Sequence, residues 1–179
     1  MSLIVQLRDL WEQPVVLTID HSPQFFDLKD EDFEFTDRIQ GEVVFTLVQK
    51  NVLAQGWLKT RAYGRCVRCL ERIAVDINAR VELVYSNDPK LKEDVLEFDP
   101  LEEIIYYFDN EIIEPKEQFR ELIMLELPFL PICSESCKGL CPVCGRNRNT
   151  EPCLCKIDEA MTEKSTGWKQ ALKRINLKK

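Results

Sequence analysis

Eight cysteines are the residues of this sequence best suited to chemistry, and their spacing is that of metal ligands. Cys66 and Cys69 enclose two residues, a spacing that lets both sulfur atoms converge on one ion. A second such pair precedes Gly145, which can adopt the left-handed backbone of a tight turn. In an extended segment residues i and i+2 face the same way, which suits a late C-x-C pair. This later series comprises Cys133, Cys137, Cys141, Cys144, Cys153 and Cys155.

Eight thiols make two tetrahedral sites of four ligands, which is the arrangement that zinc prefers. The pairing that we favour has a distal cluster of Cys141, Cys144, Cys153 and Cys155. It leaves a proximal cluster of Cys66, Cys69, Cys133 and Cys137. An alternative groups the four cysteines between 133 and 144, which leaves the first two cysteines without partners. A single site with several free thiols is a further alternative.

Other cysteine chemistries remain open at this point. Disulfides need an oxidising compartment, and the N-terminus MSLIVQLRDL lacks the features of a secretory signal, so we expect a cytoplasmic protein. A thioredoxin-like C-x-x-C opens a helix, whereas this one lies between predicted strands with Arg65 and Arg68 beside it. An iron–sulfur cluster also uses four cysteines. Catalytic zinc typically has His or carboxylate ligands, and His21 is the one histidine. We therefore expect structural Zn²⁺, two ions or at least one.

Charged residues are distributed unevenly along the chain. Residues 1–131 carry 14 basic and 26 acidic side chains, whereas residues 132–179 carry 10 basic and 5 acidic ones, and the whole chain has a formal charge of −7. Six of the eight cysteines lie in the shorter basic part. The 45% of hydrophobic residues suffices for a core, and no stretch approaches the roughly 20 apolar residues of a membrane span. We expect a core domain over 1–131 and a zinc-binding tail over 132–179.

Hydrophobic patterning predicts an α+β fold. Alternating apolar residues indicate antiparallel strands in a meander, with the first cysteine pair at the tip between the last two strands. A helical pattern near 115–127 indicates a helix packed on the sheet, and we expect Trp11 and Trp57 in the core. A short basic amphipathic helix is expected around Trp168. The predicted strands cover 14–20, 40–49, 52–62 and 73–85, with a short helix over 3–11 and a loop over 86–103.

Basic side chains gather around the cysteine motifs. Cations beside a rigid metal knuckle can contact phosphates, and arginine can stack on unpaired bases. The same cations could instead only offset the negative charge of cysteine-bound zinc. The acidic front part would repel RNA but could attract a basic ribosomal protein. The candidate nucleic-acid-binding residues are Lys59, Arg61, Arg65, Arg68, Arg72, Lys138, Arg146 and Arg148.

Two motifs in this order resemble the bacterial YceD family, also called the large ribosomal RNA subunit accumulation protein family. The first is Cys66-Val-Arg-Cys69-Leu70, and the second is Cys137-Lys-Gly-Leu-Cys141-Pro-Val-Cys144-Gly145, preceded by ELIMLELPFLPIC and followed by a C-x-C pair. The sequence departs from the family pattern at Arg148, where an aliphatic residue is expected. The resemblance implies a non-enzymatic role in the synthesis, processing or stability of large-subunit rRNA, without catalytic residues.

We therefore expect a ribosome-biogenesis factor that acts on large-subunit rRNA directly or with a ribosomal protein, and no small-molecule substrate. The alternative is an adaptor whose acidic face binds a basic protein and whose zinc is architectural. A thiol redox or metal-relay protein is a third class, which would require labile or low-pKa cysteines.

Overall fold

A computed structural model describes residues 3–88 and 105–155 of the chain. The chain divides into two compact units, which we call the sheet unit, Met1–Arg65 with Arg72–Pro131, and the cysteine unit, Cys66–Glu71 with Ile132–Lys179. The division into domains 1–131 and 132–179 stays a prediction. The predicted helix around Trp168 and most of the predicted loop over 86–103 lie outside the described residues.

The sheet unit contains eight strands and two helices within the described residues. These are β1 Val5–Gln6, a 3-10 helix Leu7–Trp11, β2 Val15–His21, β3 Glu34–Phe35, β4 Ile39–Val48, β5 Asn51–Arg65, β6 Arg72–Ser86, β7 Ile105–Tyr107, β8 Ile112–Ile113 and α1 Lys116–Leu125. A six-stranded sheet has the order β2-β4-β5-β6-β7, and β3 also pairs with β5. All pairs are antiparallel except β6 with β7. β1 and β8 form a separate two-stranded antiparallel sheet.

The alternation of side chains explains which face of the sheet is buried. In β5 the even-numbered residues Val52, Ala54, Leu58 and Ala62 are buried, and the odd-numbered ones point to the other face. In β6 the inward residues are the odd-numbered ones from Ile77 to Tyr85. The predicted meander of three antiparallel strands is confirmed by β4, β5 and β6.

The inner face of the sheet forms one core with α1, the 3-10 helix and the segment between β2 and β3. Phe119 and Ile123 of α1 are fully buried, as are Phe26 and Phe45. The prediction that Trp11 and Trp57 are core residues is wrong, because their side chains are 65% and 43% exposed. Trp57 occupies an odd-numbered position of β5, and the strand period therefore turns it away from the core.

The cysteine unit has a different kind of interior. Over residues 66–71 and 132–155 the regular structure consists of turns and one isolated bridge between Leu140 and Asn147. Its buried residues in those ranges are Cys66, Cys69, Cys137, Gly139 and Cys141. A core made almost entirely of cysteine releases little hydrophobic free energy, so burial alone contributes little to the stability of this unit.

Candidate metal centres

The structure brings the eight thiols together in two groups of four. In the proximal cluster and in the distal cluster, the four sulfur atoms all lie within 4.8 Å of one another. This is the grouping favoured from the sequence, and the alternative grouping of the cysteines between 133 and 144 is not formed. Both clusters belong to the cysteine unit, which includes Cys66 and Cys69 although they lie far from the others in sequence.

The distances between sulfur atoms suit one metal ion per cluster. A Zn–S bond of about 2.3 Å places the sulfur atoms of a tetrahedral site about 3.8 Å apart. In the proximal cluster Cys66 Sγ lies 3.9 Å from Cys137 Sγ, and Cys69 Sγ lies 3.7 Å from Cys133 Sγ. Four thiolates at these distances leave room for a single small ion at their centre.

The two C-x-x-C segments have the same backbone structure. In the first, the Cys66 N–H donates to Glu71 O at 2.9 Å and the Leu70 N–H donates to Cys66 O at 2.9 Å. In the second, the Cys141 N–H donates to Arg146 O at 2.8 Å and the Gly145 N–H donates to Cys141 O at 2.8 Å. The donors and acceptors occupy equivalent positions, so each segment is the same tight knuckle.

The residue after each knuckle has a left-handed backbone. Gly145 has φ 71°, and the equivalent Leu70 has φ 62°. Glycine adopts this conformation without steric cost, whereas an ordinary residue with a Cβ does not. The requirement for a left-handed residue therefore comes from the knuckle, and the first knuckle satisfies it with a strained leucine.

Backbone N–H groups of each knuckle point at its first sulfur atom. Burial raises the pKa of Cys66, but N–H groups directed at its Sγ outweigh burial and lower the pKa to about 6. One of these donors is the Arg68 N–H, 3.4 Å from Cys66 Sγ. The N–H groups of Cys144 and Val143 likewise lower the pKa of Cys141 to about 6. Such donors stabilise the thiolate, which is the form that binds metal.

Within each cluster, one thiol raises the pKa of a neighbouring thiol. In the distal cluster the hydrogen bond with Cys144 raises the pKa of Cys155 to about 11. In the proximal cluster the hydrogen bond with Cys137 raises the pKa of Cys133. Thiolates close to one another repel each other. A cation of charge +2 at the centre would offset this repulsion and allow all four thiols to ionise.

Two asparagines that the sequence analysis missed support the proximal cluster. Asn149 Nδ2 donates to Cys137 Sγ at 3.3 Å and to Asn147 Oδ1 at 2.9 Å. Asn147 Nδ2 in turn donates to Glu71 Oε1 at 3.0 Å. Asn149 Oδ1 accepts from the Lys138 N–H at 2.8 Å. The available signal was the pair of asparagines two and four residues after Gly145, since the asparagine side chain makes local turns with backbone groups.

Arg68 has a structural role in the cysteine unit. Its guanidinium donates to Glu135 O at 3.2 Å and to Cys137 O at 3.3 Å. Its carbonyl accepts the Leu140 N–H at 2.9 Å. A Cβ on Gly139 would stand 3.0 Å from Arg68 O. Arg68 thus connects the first knuckle to the chain around Cys137.

The other candidate nucleic-acid-binding residues fall in both units. In the sheet unit, Arg61 pairs with Asp76 at 2.7 Å and Arg72 with Glu34 at 3.4 Å. In the cysteine unit, Arg146 lies 3.9 Å from Glu151. Four candidates belong to the sheet unit, namely Lys59, Arg61, Arg65 and Arg72. The other four, Arg68, Lys138, Arg146 and Arg148, belong to the cysteine unit. Their contact with nucleic acid stays a prediction.

Both clusters lie in the part of the chain that matches one protein family. The model of the family described as large ribosomal RNA subunit accumulation protein YceD matches residues 54–175. No solved structure matches the chain. Within the described residues, no helix has the length and apolar character to cross a membrane.

Related proteins come from bacteria and from chloroplasts. An uncharacterized protein of Mycobacterium tuberculosis is 28% identical over 105 residues, which is 59% of this chain and 49% of that protein. The chloroplastic large ribosomal RNA subunit accumulation protein YCED homolog 1 of Arabidopsis thaliana is 26% identical over 133 residues, 62% of this chain and 41% of that protein. The chain spans about half the length, or less, of the curated relatives it matches.

Proposed function

Because this chain belongs to the YceD family of large ribosomal RNA subunit accumulation proteins, we propose that it is a non-enzymatic ribosome-biogenesis factor with two structural zinc ions. It would support the synthesis, processing or stability of large-subunit rRNA. The observation that carries the proposal is a family match over residues 54–175, which contains all eight cysteines. The cytoplasmic location is part of the proposal.

Zinc is the metal that we propose for both clusters. Thiolate ligands in tetrahedral sets of four suit structural zinc. Sulfur atoms within 4.8 Å of one another favour a single ion over an iron–sulfur cluster, whose own atoms occupy the space between its cysteines. Four thiolates complete the coordination of zinc and leave no open position for a water or a substrate. This closed geometry supports a structural metal and a non-enzymatic protein.

Zinc binding would stabilise the fold of the cysteine unit. A structural zinc site contributes about 10–16 kcal/mol of apparent binding free energy in small peptides at pH 7. A whole domain is stable by only about 5–15 kcal/mol. Because the described buried residues of this unit are four cysteines and Gly139, metal binding is its main source of stability. The zinc ions would thereby hold the two knuckles and their basic side chains in place.

We propose that the basic residues of both units contact rRNA. Lys59, Arg61 and Arg72 lie on an exposed face of the sheet unit, and Lys138 and Arg148 are exposed in the cysteine unit. Exposed ion pairs such as Arg61 with Asp76 contribute little stability, so phosphate groups can replace the carboxylates at small cost. Binding through these cations would weaken as salt concentration rises.

The test is rRNA accumulation in the organism that encodes the chain. Deleting its coding sequence should lower the ratio of large-subunit to small-subunit rRNA, and the full-length wild-type protein should restore the ratio. A Cys69→Ser, Cys144→Ser double variant should fail to restore it, while Ser134→Ala, exposed in the same unit, should restore it. Crosslinking should recover large-subunit rRNA with the wild-type protein. An unchanged rRNA ratio after deletion would contradict the proposed function.

A protein-binding adaptor is the second candidate, and the acidity of the sheet unit favours it. Residues 1–131 carry 26 acidic side chains against 14 basic ones. Acidic side chains are dense in the segment between β2 and β4 and around α1, from Asp27 to Asp37 and from Asp109 to Glu126. Such a surface would attract a basic ribosomal protein. Recovery of ribosomal protein without rRNA in the same crosslinking experiment would support this candidate.

A further inference from the structure

The outer face of the sheet presents a row of aromatic and cationic side chains. On β5, the outward positions from Trp57 to Arg65 alternate with buried or half-buried inward positions. Over this length a strand spans about 26 Å. The row consists of Trp57, Lys59, Arg61, Tyr63 and Arg65.

Cations lie next to both aromatic rings of this row. Lys59 Nζ lies 4.9 Å from the centroid of the Trp57 ring, and Arg80 of β6 is the residue paired with Trp57 across the strands. Arg72 Cζ lies 5.0 Å from the centroid of the Tyr63 ring. Tyr63 is paired with Ala74 of β6 on one side and with Glu34 of β3 on the other, and its hydroxyl donates to Asp37 Oδ2 at 3.3 Å. Trp57 is therefore an exposed ring and Tyr63 a half-buried one, and each has a cation over its face.

The charge on this face differs from that of the rest of the unit. Across β4, β5 and β6 the outward cations outnumber the outward acids, although acidic residues outnumber basic ones by nearly two to one over residues 1–131. On these three strands the outward acids are Glu42, Asp76 and Glu82, and the outward cations are Lys59, Arg61, Arg65, Arg72 and Arg80. The neighbouring strands add Asp20 of β2, which pairs with Arg38, and Glu34 of β3, which pairs with Arg72. Arg80 pairs with Glu82, and both side chains are exposed, so the pair is weak.

We propose that this face binds unpaired RNA bases, with Trp57 as the main stacking surface and the flanking cations as phosphate contacts. The proposal rests on the proposed function, because it names the RNA form and the surface that would bind it. Bases that are not paired in a helix can lie flat on an aromatic ring, whereas the grooves of an RNA duplex give no access to the faces of its bases. Cations on alternating positions of one strand then follow the backbone of a single strand.

The contact between Lys59 and Trp57 does not prevent stacking. An exposed cation–π contact is weaker than the stacking of a base on an aromatic side chain. The flexible lysine side chain can therefore move to a phosphate while a base takes its place on the ring. The exposed Trp57 also has no packing role in the core, so its removal should leave the fold intact.

Fluorescence of Trp57 tests the proposal in the full-length protein. A Trp11→Phe, Trp168→Phe variant leaves Trp57 as the single tryptophan. Titration with a mixed-sequence RNA single strand should quench its emission, and the matching duplex should quench it much less. In the wild-type background, Trp57→Ala should weaken single-strand binding by roughly 5- to 150-fold. Trp57→Phe should retain most of the affinity, and Trp11→Ala, which removes an exposed tryptophan elsewhere, should retain all of it.

The outcomes separate this proposal from the proposed function. Single-stranded RNA that binds without quenching Trp57, with Trp57→Ala binding like wild type, would overturn the sheet-face proposal and leave the biogenesis role standing. Equal quenching by duplex and single strand would overturn the preference for unpaired bases. Quenching by a basic ribosomal protein but not by RNA would assign the face to a protein partner and overturn the proposal. The fall in the ratio of large-subunit to small-subunit rRNA on deletion, which tests the proposed function, is measured independently of these three outcomes.

Discussion

Asn149 donates a hydrogen bond from Nδ2 to Cys137 Sγ, at 3.3 Å, and thereby connects the loop after the second knuckle to the proximal cluster. A donor to a metal-bound thiolate orients it and disperses its charge. The same side chain accepts the Lys138 N–H through Oδ1, so it holds both the ligand and the backbone next to the ligand.

We predict that Asn149→Asp weakens metal binding at the proximal cluster by roughly 10- to 100-fold. The carboxylate still accepts the Lys138 N–H, but it removes the donor to sulfur and adds a negative charge beside the thiolate. Competition with a chromophoric chelator would measure the change, with two metal ions per chain still bound at high metal concentration. Asn78→Ala, an exposed asparagine of β6, is the matched control and should change nothing. An unaltered affinity of Asn149→Asp would refute the role of this hydrogen bond.

The left-handed residues of the two knuckles give a second prediction. Leu70→Gly should stabilise the cysteine unit by up to about 1 kcal/mol, because it relieves a left-handed conformation in a residue with a Cβ.

Gly145→Ala should destabilise the cysteine unit by about 1 kcal/mol, since open space surrounds the position and only the backbone strain acts. Gly139→Ala should cost more, because its Cβ would also stand 3.0 Å from Arg68 O. Thermal unfolding of the metal-bound protein would measure all three, and a destabilised Leu70→Gly would contradict the equivalence of the knuckles.

Tyr85 gives a prediction about pH in the sheet unit. Burial raises the pKa of Tyr85 well above its ordinary value, and its Oη is buried without a hydrogen-bond partner within the described residues. The unfolded chain ionises this tyrosine near pH 10 while the folded chain keeps it neutral, so the contribution of Tyr85 to stability falls as pH rises above about 10. The slope is at most about 1.4 kcal/mol per pH unit.

Tyr85→Phe is the variant that isolates this contribution. It removes the titrating group and a buried hydroxyl that lacks a partner, so its stability at pH 7 should equal or exceed that of wild type. Urea unfolding between pH 8 and pH 11 should show a shallower loss of stability in the variant. Parallel curves for the two proteins would show that Tyr85 does not titrate differently in the folded and unfolded chains.

Metal removal should separate the two units. A strong chelator should abolish amide protection over 66–71 and 132–155, because the described interior of the cysteine unit is made of its ligands. The strands β4 to β6 should keep most of their protection, since their core of aromatic and aliphatic side chains contains no cysteine. Hydrogen exchange with mass spectrometry would measure both effects. Equal protection of residues 132–155 with and without chelator would contradict a metal-dependent fold.

The sequence predicted the parts of this structure that periodic patterns encode. β4, β5, β6 and α1 are long enough to show alternation or a helical repeat, and the number and spacing of cysteines limited the possible clusters. β1, β3, β7 and β8 were missed because strands of two or three residues show no period. Trp57 was misplaced by its hydrophobicity, although the apolar even-numbered positions Val52, Ala54 and Leu58 already indicated that an odd-numbered residue faces outward. The hydrogen bond from Asn149 to Cys137 depends on a tertiary arrangement that no local pattern contains.

Native mass spectrometry of the full-length protein tests the central claim most directly, because it counts and identifies the metal ions in each chain. We predict two zinc ions in wild type, one in Cys133→Ser and one in Cys155→Ser, because each variant removes one ligand of a separate cluster of four. The double variant should bind none tightly, and Ser136→Ala, the control, should bind two. A mass that corresponds to iron and sulfide, or the loss of both ions from either single variant, would contradict two independent zinc sites.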